Sequence, residues 1–512
     1  MIDYIIILLT FLAILIPTKT ILLMYQQNRY ENYRYYIWLK LNYLIKIHIL
    51  DILVLLIALI FNKYKIIIIL SLLIKILFDY HTMKKTKYIK PLVFTNRVKR
   101  QIITFIILDI IIIGIIASIN ITYALIVSLF INDYLIFIVG LINTPIEKMF
   151  HNKFKKEAKD ILFSYHKLKK IGITGSYGKT SSKNIIQEVL SNDYYSLMTP
   201  ASFNTPMGIS RTIRENLKPL HQVFICEMGA DHVGDISELM EFVKPSIGVV
   251  TSIGPQHLNT FKTIDNIINE KMQIVEMLPS DGLAVINNDN EYIKNYKIKN
   301  SVKTVSVGIL NDADYRAINI SYHKLGSSFQ IKYQNEIYNF KTKLLGTHNI
   351  TNILVAVAIG RQLNISFEKL IASIESCPYI KHRLELKQIN GLTFIDNAFN
   401  SNPSGSKMSL DVISKMDQRR IIVTPGLIDL GNLQDKYNYE FGKYMLDKVD
   451  MVILVGKTQT IKIYQGLKDA GYDLNNVIIK DTVKEAFDYL YGIATKSDTI
   501  LLENDLPDAF NK

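Results

Sequence analysis

Five mostly apolar stretches, 4–24, 42–61, 64–79, 102–118 and 121–142, crowd into the first 145 residues of this 512-residue chain, and nothing else in it constrains the fold as tightly. A chain crosses a bilayer as a helix because its backbone polar groups must bond to one another in hydrocarbon, and at the rise of a helix the apolar core takes about 20 such residues. The first stretch is the least regular, because its apolar core from Ile5 to Ile16 is followed by Pro17 and Lys19, as in a signal-peptide core. No basic residue precedes it and no small-residue cleavage site follows, so it reads as a span. The expected start of the fold is a transmembrane helical region over residues 1–150.

Charge orients those spans. Lys84, Lys85, Lys87, Lys90, Arg97, Lys99 and Arg100 lie between the third and fourth stretches, and Lys148, Lys153, Lys155, Lys156 and Lys159 follow the fifth. Basic loops stay in the cytoplasm. Two spans separate these segments, which places both inside, and counting back leaves the N-terminus outside; Lys63 and Lys65 in a short outer turn dissent. Among charges near the spans, Lys75 and Asp133 are expected to reach a span end, while Asp51 and Asp109 are candidates for a polar site inside the bundle. The net charge of +13 clusters beside the spans, so membrane lipids rather than nucleic acid are the expected anionic partner.

From residue 168 the texture changes. KIGITG, VFICEMG, IGVVTSIG, GLAVINND and KTVSVG read as buried strands separated by helical sequence, and a second set starts near 381 with LTFIDNAFN, RRIIVTPG, MVILVG, NNVIIK and DTILLEN. That alternation predicts two α/β domains with mostly parallel sheets, a P-loop ATPase-like one over 168–380 and a Rossmann-like one over 381–512. Residues 315–340 alternate more and read as antiparallel hairpins added to the first sheet. Cys226 and Cys377 stand in unrelated contexts, so neither a disulfide framework nor a cysteine zinc site is expected.

The chemistry begins at GITGSYGKTSS. A strand closes in a glycine-rich turn over Thr174, Gly175, Ser176, Tyr177 and Gly178, and Lys179 and Thr180 open a helix. Such a turn lets backbone N–H groups approach a phosphate at a helix N-terminus, with the lysine on the terminal phosphates and the threonine hydroxyl on Mg²⁺. Ile173 stands where a strict Walker A motif has its first glycine, and an ordinary strand-to-helix turn can carry the same residues. Glu227 ends one predicted strand and His257 follows another, at the carboxyl edge where such sheets gather ligands. With Thr180 they form a candidate hard-cation site, although a capping glutamate and a surface histidine are the plainer alternatives.

TGSYGKT, FNTPMG, EMGADHVGDI, PSIGVVTSIGPQHL, NEKMQI, LLGTHNITN, HRLE and DNAFNSNPSGS, in that order, resemble the Mur ligases, the ATP-dependent enzymes that build the peptide of bacterial cell-wall precursors. The likeness covers residues 168–512 and is nearest to the members that add a D-alanyl-D-alanine dipeptide. It implies ATP and Mg²⁺ as cofactors, Lys179 and Thr180 on the phosphates and metal, and Glu227 and His257 as metal ligands. Lys271 matches a lysine that many members carry carbamylated, able to hold a second Mg²⁺. Asn349 and Asn352 match residues that read the adenine end, Arg383 and Asp396 match residues that reach the nucleotide from the second domain, and Asn204, Thr205 and Asn400 match the substrate side. The implied reaction passes through an acyl phosphate, with Lys179, His257 and Lys271 as its catalytic residues.

The chain departs from the family where a soluble UDP-binding domain is expected, since the membrane region stands there. The expected protein is therefore a multi-pass membrane protein with cytoplasmic catalytic domains, joining an amino acid or dipeptide to a UDP-linked or lipid-linked precursor. TPGLIDLGN and LLENDLPD also depart from the expected forms and leave the incoming amine open. A pseudomurein or other non-murein ligase of the same superfamily and a glutamate-adding folate ligase are related alternatives, the spans arguing against the latter. An ATP-driven transporter is the alternative from another class, disfavoured by few interior charges and by DNAFNSNP, which has no task in a motor. A ligase-like chain of an amidotransferase would want four zinc-binding cysteines, and the chain has two.

Overall fold

The computed structural model describes residues 2–42, 48–61, 63–85, 91–323, 326–398, 402–416, 418–428 and 430–504. They divide into two compact units, one ending at Asn152 and the other starting at Lys153.

The first unit is helical: Ile2–Gln27, Asn32–Asn42, His48–Ile60, Lys65–Lys85, Asn96–Ile119 and the start of Ile121–Ser164. Three of these, Ile2–Gln27, Lys65–Lys85 and Asn96–Ile119, are long and apolar enough to cross a membrane. The predicted stretch 42–61 falls partly outside the described residues, and its remainder is a shorter apolar helix; the stretch 121–142 lies within Ile121–Ser164. Leu70, Ile74, Leu77, Ile107, Ile110 and Ile115 point outward, whereas Asp51, Lys75, Asp109, Asn132 and Asp133 are buried. Lys75 corrects the expectation that it reaches a span end. Its ammonium lies 2.8 Å from Asp51 and 2.7 Å from Asp79, because an ion inside an apolar bundle is tolerable only beside a counter-ion. Asp133 is likewise interior rather than at an edge.

The second unit holds two sheets. In the first, β1 (Lys169–Thr174), β2 (Ser196–Met198), β3 (Val223–Glu227), β4 (Ile247–Val250), β5 (Leu283–Asn287), β6 (Lys303–Gly308), β7 (Tyr315–His323), β8 (Gly326–Tyr333) and β9 (Glu336–Thr342) run in the order β2-β3-β1-β4-β5-β6-β7-β8-β9. Pairing is parallel from β2 to β7, and β7, β8 and β9 form the expected antiparallel meander. Alternation along the strands feeds two cores. Ile171, Ile173, Val223 and Ile225 pack under helices Lys179–Ser191 and Thr347–Gln362, while Phe224, Cys226 and Val250 pack on the other face under Asp235–Val243 and Ile264–Glu276. Both cysteines are buried core thiols.

In the second sheet, β10 (Glu385–Ile389), β11 (Leu392–Asn397), β12 (Arg420–Thr424), β13 (Met451–Val455), β14 (Val477–Lys480) and β15 (Thr499–Glu503) run in the order β10-β11-β15-β12-β13-β14. All pairs are parallel except the hairpin β10–β11. The short β2 and the polar β10 are the strands that sequence pattern does not announce. In the first sheet β1 lies between β3 and β4, so the chain leaves it one way toward β2 and β3 and later returns to its other side. That reversal opens a crevice at the carboxyl end of β1.

Candidate active site

The loop after β1 fills that crevice. Gly175 and Gly178 take positive φ angles of 149° and 83°, and a Cβ on Gly175 would lie 2.2 Å from Thr251 Oγ1. The loop is clamped onto the segment after β4: Ser176 N donates to Ser252 O (2.6 Å), Ser176 Oγ to Gly254 O (2.9 Å), Tyr177 OH to Pro255 O (2.6 Å), and Thr251 Oγ1 to Tyr177 O. Thr174 Oγ1 donates to Met228 O (2.9 Å), tying β1 to the end of β3. Gly175→Ala is expected to distort the loop at a cost of about 1–3 kcal/mol and to weaken ADP binding correspondingly, read by calorimetry. Unchanged affinity would mean that the loop does not hold the nucleotide.

Lys179 Nζ donates to Gly175 O (2.6 Å) and Ser176 O (3.3 Å), so its charge sits in the mouth of the loop. Burial pushes its pKa down, and Arg383 adds to this while Glu227 opposes it. At the end of β3, Glu227 accepts from Thr180 Oγ1 (3.0 Å), Lys183 Nζ (3.1 Å) and Asn204 Nδ2 (3.0 Å), and its own N–H donates to Thr199 Oγ1 (3.1 Å). Burial raises the Glu227 carboxyl, but Lys183 and Lys179 outweigh it and hold the group below the usual carboxylate range. Thr180 and Glu227 form a hard-oxygen pair of the kind Mg²⁺ takes, so the donor set fits that ion.

Lys183 is the functional residue that sequence reasoning missed, since a lysine in the second turn of a helix reads as solvated. It is fully buried, bonded to Glu227 and to Ala201 O. Lys183→Met should leave Glu227 buried without its closest cation and lower unfolding stability by about 3 kcal/mol, seen in denaturant melts. A neutral substitution would show that water reaches Glu227.

His257 adopts a left-handed backbone (φ 53°) and puts Nε2 3.1 Å from Asp231 Oδ1. A carboxylate behind an imidazole fixes the ring, as behind metal-ligating histidines, and Asp231 is a second residue that the sequence did not single out. Lys271 is buried, with Nζ 3.3 Å from Ala230 O. Burial and, next, Lys179 push its pKa down to about 7 against the pull of Glu270 and Asp235. Its neighbour Glu270 accepts from Ile236 N (2.6 Å) and Gly234 N (2.8 Å) and acts on Lys271 from beyond ion-pair distance.

The remaining predicted residues fall as follows. Asn352 Oδ1 accepts from Ser182 Oγ (2.8 Å) and lies 3.2 Å from the place of a Cβ on Gly178, so Asn352 is beside the phosphate loop itself. Asn349 Nδ2 donates to Leu345 O (2.8 Å) one helical turn before. Asn204, expected on the substrate side, is on Glu227, and Thr205 caps helix Pro206–Asn216 by accepting from Gly208 N. Asn400 lies outside the described residues. Arg383 interacts with Glu227 from the first sheet and Glu503 from the second, and burial pushes its pKa down. Asp396 accepts from His382 Nδ1 (2.7 Å) and Lys387 Nζ (2.5 Å). Burial raises Asp396, yet those bonds hold it low. Among the described residues His382, Glu385 and Asp396 bring ligand atoms within 4.8 Å of one another, but Lys387 already supplies the cation there, 3.0 Å from Glu385.

Comparison with known proteins gives this geometry its relatives. Residues 173–360 match the Mur ligase middle domain, and 382–503 match the Mur ligase, glutamate ligase domain. The chain is similar to UDP-N-acetylmuramoyl-tripeptide–D-alanyl-D-alanine ligase of Bacillus subtilis, 28% identical over 338 residues that cover 65% of this chain and 72% of that protein. It is 30% identical to the protein of that name from Buchnera aphidicola over 292 residues, covering 56% of this chain and 63% of the relative, slightly under two thirds. The crystal structure of MurF ligase from Thermotoga maritima in complex with ADP superposes with a TM-score of 0.63 at 21% identity, covering 69% of this chain and 80% of that one. A pseudomurein peptide ligase type C from Methanothermus fervidus gives 0.53 at 21% identity, covering 68% and 78%. At these identities the two superpositions speak to the fold.

Proposed function

From the premise that residues 173–360 and 382–503 are the middle and C-terminal domains of a Mur ligase, which makes the chain an ATP-dependent acid–amino-acid ligase, we propose that it joins an amino acid or dipeptide to a cell-wall peptide precursor at the cytoplasmic face of a membrane. One observation carries the reading: the Thr180 hydroxyl and Glu227 carboxylate meet 3.0 Å apart at the mouth of a glycine loop that also holds Lys179.

A carboxylate is a poor electrophile, and the role proposed for ATP is to phosphorylate it, forming a new P–O bond as the bond from the γ-phosphorus to the bridging oxygen of ADP breaks. The amine then adds to the acyl carbon, its nitrogen gives up a proton to solvent or to the departing phosphate, and phosphate leaves with the electron pair of the broken C–O bond. The loop N–H groups and Lys179 stabilise charge on the phosphoryl oxygens in both steps. Bound Mg²⁺ would supply further neutralisation at the same oxygens, held by Thr180 and Glu227. Arg383, in the turn that precedes β10, would complete the site from the second domain, and His257, set by Asp231, and Lys271 would serve the metal side. Asn349 and Asn352 are proposed for the nucleotide, and Asn204, Thr205 and Asn400 for the precursor.

Membrane anchorage rests on helices that expose apolar side chains and bury Lys75 with Asp51, the reverse of a soluble bundle. With an apolar helical unit ahead of the two ligase domains, a lipid-linked acceptor is proposed beside the UDP-linked one. The test incubates the full-length protein, reconstituted in lipid, with ATP, UDP-linked and lipid-linked precursors and a panel of amino acids and D-amino dipeptides, with mass detection of adducts and of ADP. ADP release that needs both acceptor and amine, with a matching adduct, is the expected result. ATP hydrolysis indifferent to both would favour a transporter and end the ligase reading.

A further inference from the structure

A second charged feature lies away from the crevice, at the amino ends of β1 and β4. Residues 153–170 carry seven lysines and two carboxylates. Three ammonium groups gather around one ring: Lys170 Nζ lies 4.9 Å from the centre of Phe163, Lys244 Nζ 5.5 Å and Lys159 Nζ 5.9 Å. Lys170 is the second residue of β1, and Lys244 closes helix Asp235–Val243 just before β4.

Of the carboxylates nearby, Glu157 is paired with Arg214 (2.8 Å) and Glu238 with Lys155 (2.7 Å), and Asp160 is exposed. Among the described residues no carboxylate comes within salt-bridge distance of the three lysines. Like charges drawn together without counter-ions cost free energy unless an anion joins them. Lys244 also sits in a left-handed conformation (φ 49°) that helix ends usually give to glycine, and in that position its side chain reaches the cluster.

We propose that this face of the second unit, centred on Lys159, Phe163, Lys170 and Lys244, docks on the anionic headgroups of a lipid bilayer. The cluster is open rather than pocketed, with Lys244 and the flanking Lys153 and Lys156 exposed, which suits a diffuse negative surface better than a discrete phosphate. Phe163 is half-buried and gives the lysine stems an apolar seat. Its place at the amino ends of the strands leaves the phosphate loop, at the carboxyl ends, uncovered. The inference shares with the proposed function only the presence of a membrane and does not depend on the ligase chemistry.

The full-length protein is placed in neutral phosphatidylcholine bilayers and in bilayers that also contain phosphatidylglycerol, and amide hydrogen exchange is followed over residues 155–170 and 240–246. Slower exchange on the anionic bilayer, abolished by high salt, is expected. Each lysine near such a surface contributes about five-fold to partitioning, so K159Q/K170Q/K244Q should lower the docked population on the order of 100-fold. K153Q/K156Q, on the flank, should lower it less and guards against a folding defect in the triple variant. Equal exchange in both bilayers would overturn the proposal. So would protection in neutral bilayers brought about by inorganic phosphate or soluble glycerol phosphate, since that outcome marks a discrete anion site. Nucleotide binding, measured in parallel, reports on the ligase site separately.

Discussion

Lys179→Ala is expected to reduce ATP-dependent adduct formation by on the order of 10³-fold or more, the range seen when a phosphoryl-transfer site loses a cation aimed at the transition state. Among the described residues the side chain donates to the two loop carbonyls of Gly175 and Ser176, so stability should change little and the loss should appear in turnover. After burial, Lys179 is the like charge that holds Lys271 down, and its removal should raise the Lys271 pKa from about 7. The variant therefore carries a second signature, an upward drift in the pH at which Lys271 becomes neutral, which a merely misfolded protein would lack. Turnover near wild type would take the glycine loop out of the mechanism.

Much of this architecture can be read from periodicity alone, and the exceptions have physical causes. Each run such as VFICEMG or MVILVG is apolar on both faces because the strand is covered on both faces, and every one of the ten runs forms a strand. β2 is three residues long and β10 is polar, so neither carries that signal. In the site, the glycines and Lys179 announce themselves because backbone geometry demands them. Lys183 does not: a lysine four residues after Lys179 has a helix-surface address, and only the fold reveals that β3 delivers Glu227 to meet it. Asp231 is hidden for the same reason, being a loop carboxylate until His257 arrives from the segment after β4. In the helical unit, sequence alone puts Lys75 near an end of its span, and only its pairing with Asp51, on a neighbouring helix, shows it to be interior.

The Lys271 variants should show the next largest effect, and here the chemistry is specific enough to separate a structural amine from a reactive one. Carbamylation joins a neutral amine to CO₂, forming an N–C bond and releasing a proton, so it needs Lys271 unprotonated. Ordinary lysine is protonated at neutral pH, whereas burial and Lys179 bring this one to about 7. The sign for stability follows. Between about 7 and the unfolded value near 10.5 the unfolded chain binds the proton and the folded one does not, so stability rises with pH across that window and is flat below it. The adduct itself should appear as the mass of one CO₂ on the peptide bearing Lys271, trapped by alkylation, and activity should fall when CO₂ and bicarbonate are stripped at neutral pH. Lys271→Ala is expected to lose roughly 10²–10³-fold in turnover and to recover part of it in formate or acetate, which restore a carboxylate to the space. Lys271→Arg should lose as much, because a guanidinium stays protonated and fills that space. An active arginine variant, indifferent to CO₂, would show instead that the position needs only a buried cation.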